Sequence, residues 1–176
     1  EETGAAQHFR DARILPIYEG TTAIQANDLV FRKTLRDGGA SVGELFDEID
    51  AEMQQLAAHT DETVAANAGH VAHAVQAARD ATAHILAAAN EPRRPAVNGV
   101  NYLMLLGRLC GGWMMARASY KAAQLQSDAS CDPSFMQAKL AIARVFMTHH
   151  LPQVQALADV IMTGDDAVLA MDPDWL

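Results

Sequence analysis

The chain has 176 residues, half of them hydrophobic and only 6% aromatic, with a formal net charge of −9. That length holds one domain, or one domain with a short partner piece. An alanine-rich, aromatic-poor composition favours closely packed helices over a β-sandwich, and the acidic balance argues against nucleic acid or an anionic membrane as partner.

Two cysteines, Cys110 and Cys131, make no disulfide framework, so a reducing cytoplasm is the expected compartment. The most apolar stretch, 102–118, is interrupted by Arg108 and is too short to span a membrane. The opening shows no signal peptide, lacks a methionine and falls in mid-motif, so the chain reads as a fragment of a longer polypeptide.

In chain order, 3–14 reads as the end of a helix with Phe9 and Ile14 inward and Arg10, Asp11 and Arg13 as a structural ion-pair cluster. Pro16 ends it, because proline has no N–H to give and the residue before it avoids the α region. Gly20 allows a sharp turn. Thr21 or Thr22 is placed to cap a second helix over 21–36, which Gly38 and Gly39 stop. Ser41 with Glu44 has capping-box spacing for a third helix. Thr60 or Asp61 caps a fourth helix, which runs to about 89, and a fifth covers about 97–126. Asp132 followed by Pro133 starts the last long helix, ending near Gly164, with a kink expected at Pro152 just after His149 and His150. The expectation is all-α: residues 1–39 as the end of one helical domain, and residues 40–176 as an antiparallel four-helix bundle.

Tyr18, Glu19 and Gly20 thus sit on a tight joint between two helices. A carboxylate there, flanked by Ile17, Tyr18 and Ile24, is expected to be poorly solvated, which raises its pKa and makes it a better base at neutral pH. The start of the following helix suits a phosphate or another anion.

Arg10-Asp11-Ala12-Arg13-Ile14, three linking residues, and then Tyr18-Glu19-Gly20-Thr21 with Ile24-Gln25 resemble the C-terminal signature of the acyl-CoA dehydrogenase family. The signature covers about the first forty residues. The remaining helices resemble the acetyl-CoA-dehydrogenase-like C-terminal domain appended in one branch, which includes methylmercaptopropionyl-CoA dehydrogenases. The resemblance implies an FAD-dependent oxidoreductase of fatty acid metabolism that desaturates an acyl-CoA thioester between its α and β carbons. Glu19 would remove the α-proton, with its own backbone N–H supporting the thioester oxygen. A hydride would pass to the flavin, and electrons would go on to an electron-transfer flavoprotein. Tyr18 and Gly20 would border the substrate, and Thr21, Thr22 and Ala23 would contact FAD. Many members carry a polar side chain where this chain has Ala23, so contact there must be through the backbone. The appended bundle implies a homodimer. Isolated from the upstream domains, the chain is expected neither to hold FAD nor to catalyse. The alternative reading is a helical assembly module with no chemistry of its own.

Other residues read as structural. His70, His73 and His84, with Asp80, form a stripe opposite the apolar face of their helix, so they read as solvated and not as metal ligands. Adjacent His149 and His150 point different ways on a helix and do not chelate together easily. Cys110-Gly111-Gly112 reads as a close-packing point between helices, Met104, Met114 and Met115 as core filling, and Arg93-Arg94 as solvated.

Overall fold

A computed structural model describes residues 4–15, 17, 20–126 and 128–175. Regular structure among them is helical throughout, as expected. The elements are α1 (Ala5–Arg13), α2 (Thr22–Asn27) continuing as a π-helical segment (Asp28–Leu35), α3 (Ala40–Ala57), α4 (Glu62–Ala87) and α5 (Arg93–Leu125). After these come α6 (Pro133–Val145), a π-helical turn (Phe146–His150), α7 (Gln153–Thr163), α8 (Asp165–Leu169) and a 3₁₀ turn (Pro173–Trp175).

Helix starts follow side-chain chemistry. Asp61 accepts from the amides of Thr63 and Val64 at 2.9 and 3.1 Å, and Asp132 accepts from Ser134 N–H at 2.9 Å. The start of α3 differs from the expected Ser41 cap. Gly39, in the left-handed region at φ 83°, is the N-cap. Asp37 serves the first turn by accepting from Gly39 N–H, Ser41 N–H and the Ser41 hydroxyl at 3.0, 3.0 and 2.6 Å. These bonds, led by the Ser41 hydroxyl, hold the Asp37 carboxyl below its ordinary value.

The break at Pro152 also differs. Pro152 cannot donate to the Thr148 carbonyl, and Leu151 N–H reaches five residues back to the Phe146 carbonyl at 3.0 Å. The distortion therefore starts a turn before the proline and includes His149 and His150, instead of following them.

Helices α4, α5 and the α6–α7 unit pack on one another, while α3 packs on α4. Successive units are antiparallel: as α4 advances from Asn67 to Thr82, its partners on α5 retreat from Ser119 to Tyr102, at 3.1 and 3.0 Å. Along α5, Asn98 donates to the Ile161 carbonyl at 3.3 Å, while Gly111 and Gly112 lie beneath Phe146 and Leu151. A Cβ on Gly112 would stand 2.6 Å from Leu151 Cδ1, so the close-packing reading of this triplet is correct. Beside it, burial pushes the Cys110 thiol up, which disfavours the reactive thiolate. The 28–35 segment lies against α3, α4 and α5 and sends Val30 into the same core as Phe46, Ile49, Met53, Val71, Tyr102, Leu109 and Ile161. Burying one such side chain is worth about 1.5–3 kcal/mol, so the cluster dominates the stability of the unit.

A polar node closes one end. Asp165 is 3% exposed and meets His84 Nε2 at 3.1 Å and Arg94 at 3.2 Å, while Arg94 also reaches Asp166 and Glu91, each at 2.7 Å. Arg94 and His84 are therefore structural partners and not freely solvated side chains. Burial alone pushes the Asp165 carboxyl up, but the bonds from His84 and Arg94 outweigh it and hold the group below its ordinary value.

Candidate functional site

The signature segment stands on the helical body through α2. Ala26 is buried against Gly99 of α5, and Val30 lies one turn further on in the core. Upstream of this anchor the segment opens to solvent. Helix α1 buries none of its residues, and Phe9 and Ile14, expected inward, are 66% and 52% exposed. Nothing in the described residues packs over the outer face of α1, so the inward side has no counterpart here. Local bonds organise that helix: Gln7 donates to Asp11 at 2.7 Å, Arg10 donates to Gln7 at 3.0 Å, and Arg13 lies over the Phe9 ring.

Tyr18 and Glu19, with Pro16, lie outside the described residues, so the structure gives no geometry for the expected base. Its neighbours are described. Gly20 has φ 119°, which L side chains rarely adopt, so a glycine is needed for the turn itself. Thr21 is the N-cap of α2, where its carbonyl accepts from Gln25 N–H at 2.9 Å; the side chain does not make the expected cap. Thr21 and Thr22 are half-buried, and Ala23 is exposed. Ile17 and Ile24, expected to desolvate the carboxylate, are 70% and 64% exposed.

No described helix is long and apolar enough to cross a membrane. Among the described residues, no three His, Cys, Asp or Glu side chains are placed to share a metal ion. His70 and His73 instead border a surface cleft of about 130 Å³ with Met147, Leu151 and Gln155.

Two features of this surface escaped the sequence reading. One is the Asp165 node, whose partners are far apart in the chain. The other is the set of exposed large apolar side chains on α5 and α6: Val100, Met104, Met114, Phe135, Ile142 and Val145. Periodicity had assigned Met104 and Met114 to the core.

Similarity to known proteins runs through the whole chain. It is 41% identical over 174 residues to a 3-methylmercaptopropionyl-CoA dehydrogenase of Ruegeria pomeroyi, covering 96% of this chain and 29% of that protein. It is 33% identical over 175 residues to the broad-specificity linear acyl-CoA dehydrogenase FadE5 of Mycobacterium tuberculosis, covering 94% of this chain and 28% of that protein. The chain thus spans less than a third of the length of these curated relatives. The model of the family described as acetyl-CoA dehydrogenase C-terminal like matches residues 45–172, so the chain belongs to that family.

Proposed function

We propose that this chain is the C-terminal part of an FAD-dependent acyl-CoA dehydrogenase, with Glu19 as the base that removes the α-proton of an acyl-CoA thioester. The observation that supports it is the signature segment. It is anchored by Ala26 and Val30, turned at Gly20, and leaves Phe9, Ile14, Leu15 and Ile17, among the described residues upstream of α2, exposed, as an edge that would complete a site formed elsewhere. The names of both relatives support an acyl-CoA substrate. The acyl chain stays open between linear fatty acyl and methylthiopropionyl groups.

The thioester α-proton is weakly acidic, so the base needs a raised pKa and a donor where enolate charge develops. Glu19 supplies the carboxylate, and its backbone N–H is assigned to the thioester oxygen; Tyr18 and Gly20 border the acyl group. Thr21 and Thr22 bring hydroxyls, and the first turn of α2 brings amides outside the helical ladder. This donor set fits one edge of a dinucleotide cofactor, with Ala23 contributing only backbone. FAD, when bound, supplies the acceptor for the β-hydride.

Residues 1–39 belong to the catalytic domain on this reading, and residues 40–176 are an appended scaffold whose buried residues serve packing. The whole enzyme is a cytoplasmic homodimer that passes electrons to an electron-transfer flavoprotein. Glu19→Gln in the full-length protein keeps shape and loses basicity, so turnover should fall by ~10²–10⁴-fold with flavin content unchanged. Near-normal steady-state rates would sink the assignment.

A further inference from the structure

Helix α2 joins the helical body on α5. Ala26, 1% exposed, is the residue that α2 buries, and it lies against Gly99. A Cβ on Gly99 would stand 3.5 Å from Ala26 Cβ and 3.7 Å from the Ala26 carbonyl carbon and oxygen, so the two backbones meet with room for about one methyl group. The head of α2 continues upstream through Thr21 to Gly20, which is joined in sequence to Glu19. The Ala26–Gly99 contact therefore sets the height and tilt of the stem that carries this segment.

The part of α5 that receives α2 is held by polar bonds. Arg94, Asn98 and Tyr102 recur four residues apart and share one face. Arg94 meets Asp165 at 3.2 Å, Asn98 donates to the Ile161 carbonyl at 3.3 Å, and Tyr102 bonds Thr82 at 3.0 Å. Thr82 gives its one proton to the Ala78 carbonyl at 2.7 Å, so Tyr102 is the donor. The three bonds tie α5 to α8, to the end of α7 and to α4. Apolar contacts with the alanines of α4 would tolerate a small slide or rotation of α5. A buried hydrogen bond is satisfied in one register, and losing that register leaves polar groups unpaired. A similar buried pair, Asn67 with Ser119 at 3.1 Å, lies roughly 30 Å further along α5, away from α2.

From this we infer that Asn98 and Gly99 are positioning residues for the proton abstraction: acting through α2, they set where Glu19 is presented. The inference rests on the reading of Glu19 as the base. It gives this end of the appended helices a part in the reaction beyond packing. The chemistry makes the position matter, because a displacement of about 1 Å at a reacting group can cost up to ~10²-fold in rate.

The test compares matched substitutions in the flavin-loaded full-length protein. Gly99→Val drives a methyl group into the Ala26 backbone, whereas Gly112→Val overpacks the same helix against Leu151, roughly 20 Å away. Asn98→Leu and Asn67→Leu each remove one buried hydrogen bond at similar volume, the first beside Gly99 and the second at the far pair. All four should lower the melting temperature. Only Gly99→Val and Asn98→Leu should lower kcat per bound flavin, by ~10–10²-fold, with KM moving less. The same two should shift the acid limb of the kcat–pH profile, which reports the base in the substrate complex. Gly99→Ala, whose Cβ makes an ordinary contact, should recover kcat relative to Gly99→Val. If Gly99→Val does not fold, Asn98→Leu against Asn67→Leu decides alone. An unchanged kcat and pH profile in either positioning variant, in a protein where Glu19→Gln stops turnover, would overturn the inference and leave the base assignment intact. Equal losses in all four variants would assign the effect to general loosening of the fold and overturn it as well. Near-normal rates for Glu19→Gln would overturn the base assignment itself.

Discussion

Helices α3 and α5 bury comparable apolar faces but turn opposite surfaces outward. Helix α3 carries Glu44, Asp47, Glu48, Asp50 and Glu52 with no Lys or Arg, and exposes no large apolar side chain. Helix α5 carries only basic charge and exposes Val100, Met104 and Met114. Three of the α3 acids are also engaged within the molecule: Asp47 and Asp50 meet Arg79 at 2.7 and 2.8 Å, and Glu52 takes Trp113 Nε1–H at 2.6 Å. One helix turns an acidic face to solvent, whereas the other leaves large apolar side chains exposed. Stability therefore depends on both helices in the same way, but substitutions of outward residues should separate them.

The largest expected effect tests the shared part of this comparison. Ile49 on α3 and Leu109 on α5 are both fully buried. Truncating either to Ala should cost about 2–5 kcal/mol, the lost transfer energy plus the cavity. Ile142→Ala, on the exposed α6 stripe, should change the stability of the isolated chain by less than ~0.5 kcal/mol. Urea denaturation of the three variants checks it. A large loss for Ile142→Ala in the isolated chain would mean that the stripe is already covered.

Glycines sharpen the contrast at smaller magnitude. Gly112 lies against Leu151, whose side chain is itself buried, so Gly112→Val should overpack the α5–α7 contact and cost about 1–3 kcal/mol. Gly69 on α4 has open space where a Cβ would stand. Gly69→Ala should stabilise the chain by up to ~1 kcal/mol through helix propensity alone. Opposite signs in thermal melts are the expected result; the same sign for both would show that local propensity outweighs packing at the seam.

Much of this architecture was legible in the sequence, because short-range chemistry fixes it. Asp61 and Asp132 cap as read, Pro133 begins its helix, and the Gly111-Gly112 pair gives close approach. The rest depends on partners that a linear reading does not bring together. Asp37 displaced Ser41 as the capping acceptor, since the chain reverses at Gly38 and Gly39 and returns two amides to it. Helix α5 is apolar almost all round, and periodicity cannot say which of two apolar stripes is buried. For the site, the motif marks Glu19 and its neighbours clearly. Its dielectric and its cofactor contacts depend on groups brought together by the fold, and Tyr18 and Glu19 lie outside the described residues.

The smallest expected effect concerns the Asp165 node, where the α4–α5 turn and the chain end meet. His84 and Arg94 hold the Asp165 carboxyl below its ordinary value despite burial. In the unfolded chain the group titrates near its ordinary value of about 3.9. The folded state therefore binds this proton more weakly than the unfolded state does. Its contribution to stability is fully present above the unfolded value and is lost as pH falls through the lower folded value. The side chains of His84 and Arg94 are each 30% exposed, so solvent screens the node and the effect should be modest. Asp165→Asn should lower the urea midpoint at pH 7, and the difference from the unsubstituted chain should close as pH drops below about 4. A gap of the same size at pH 7 and pH 3 would show that Asp165 acts through shape and hydrogen bonding alone, with its charge contributing nothing where the α4–α5 turn meets α8.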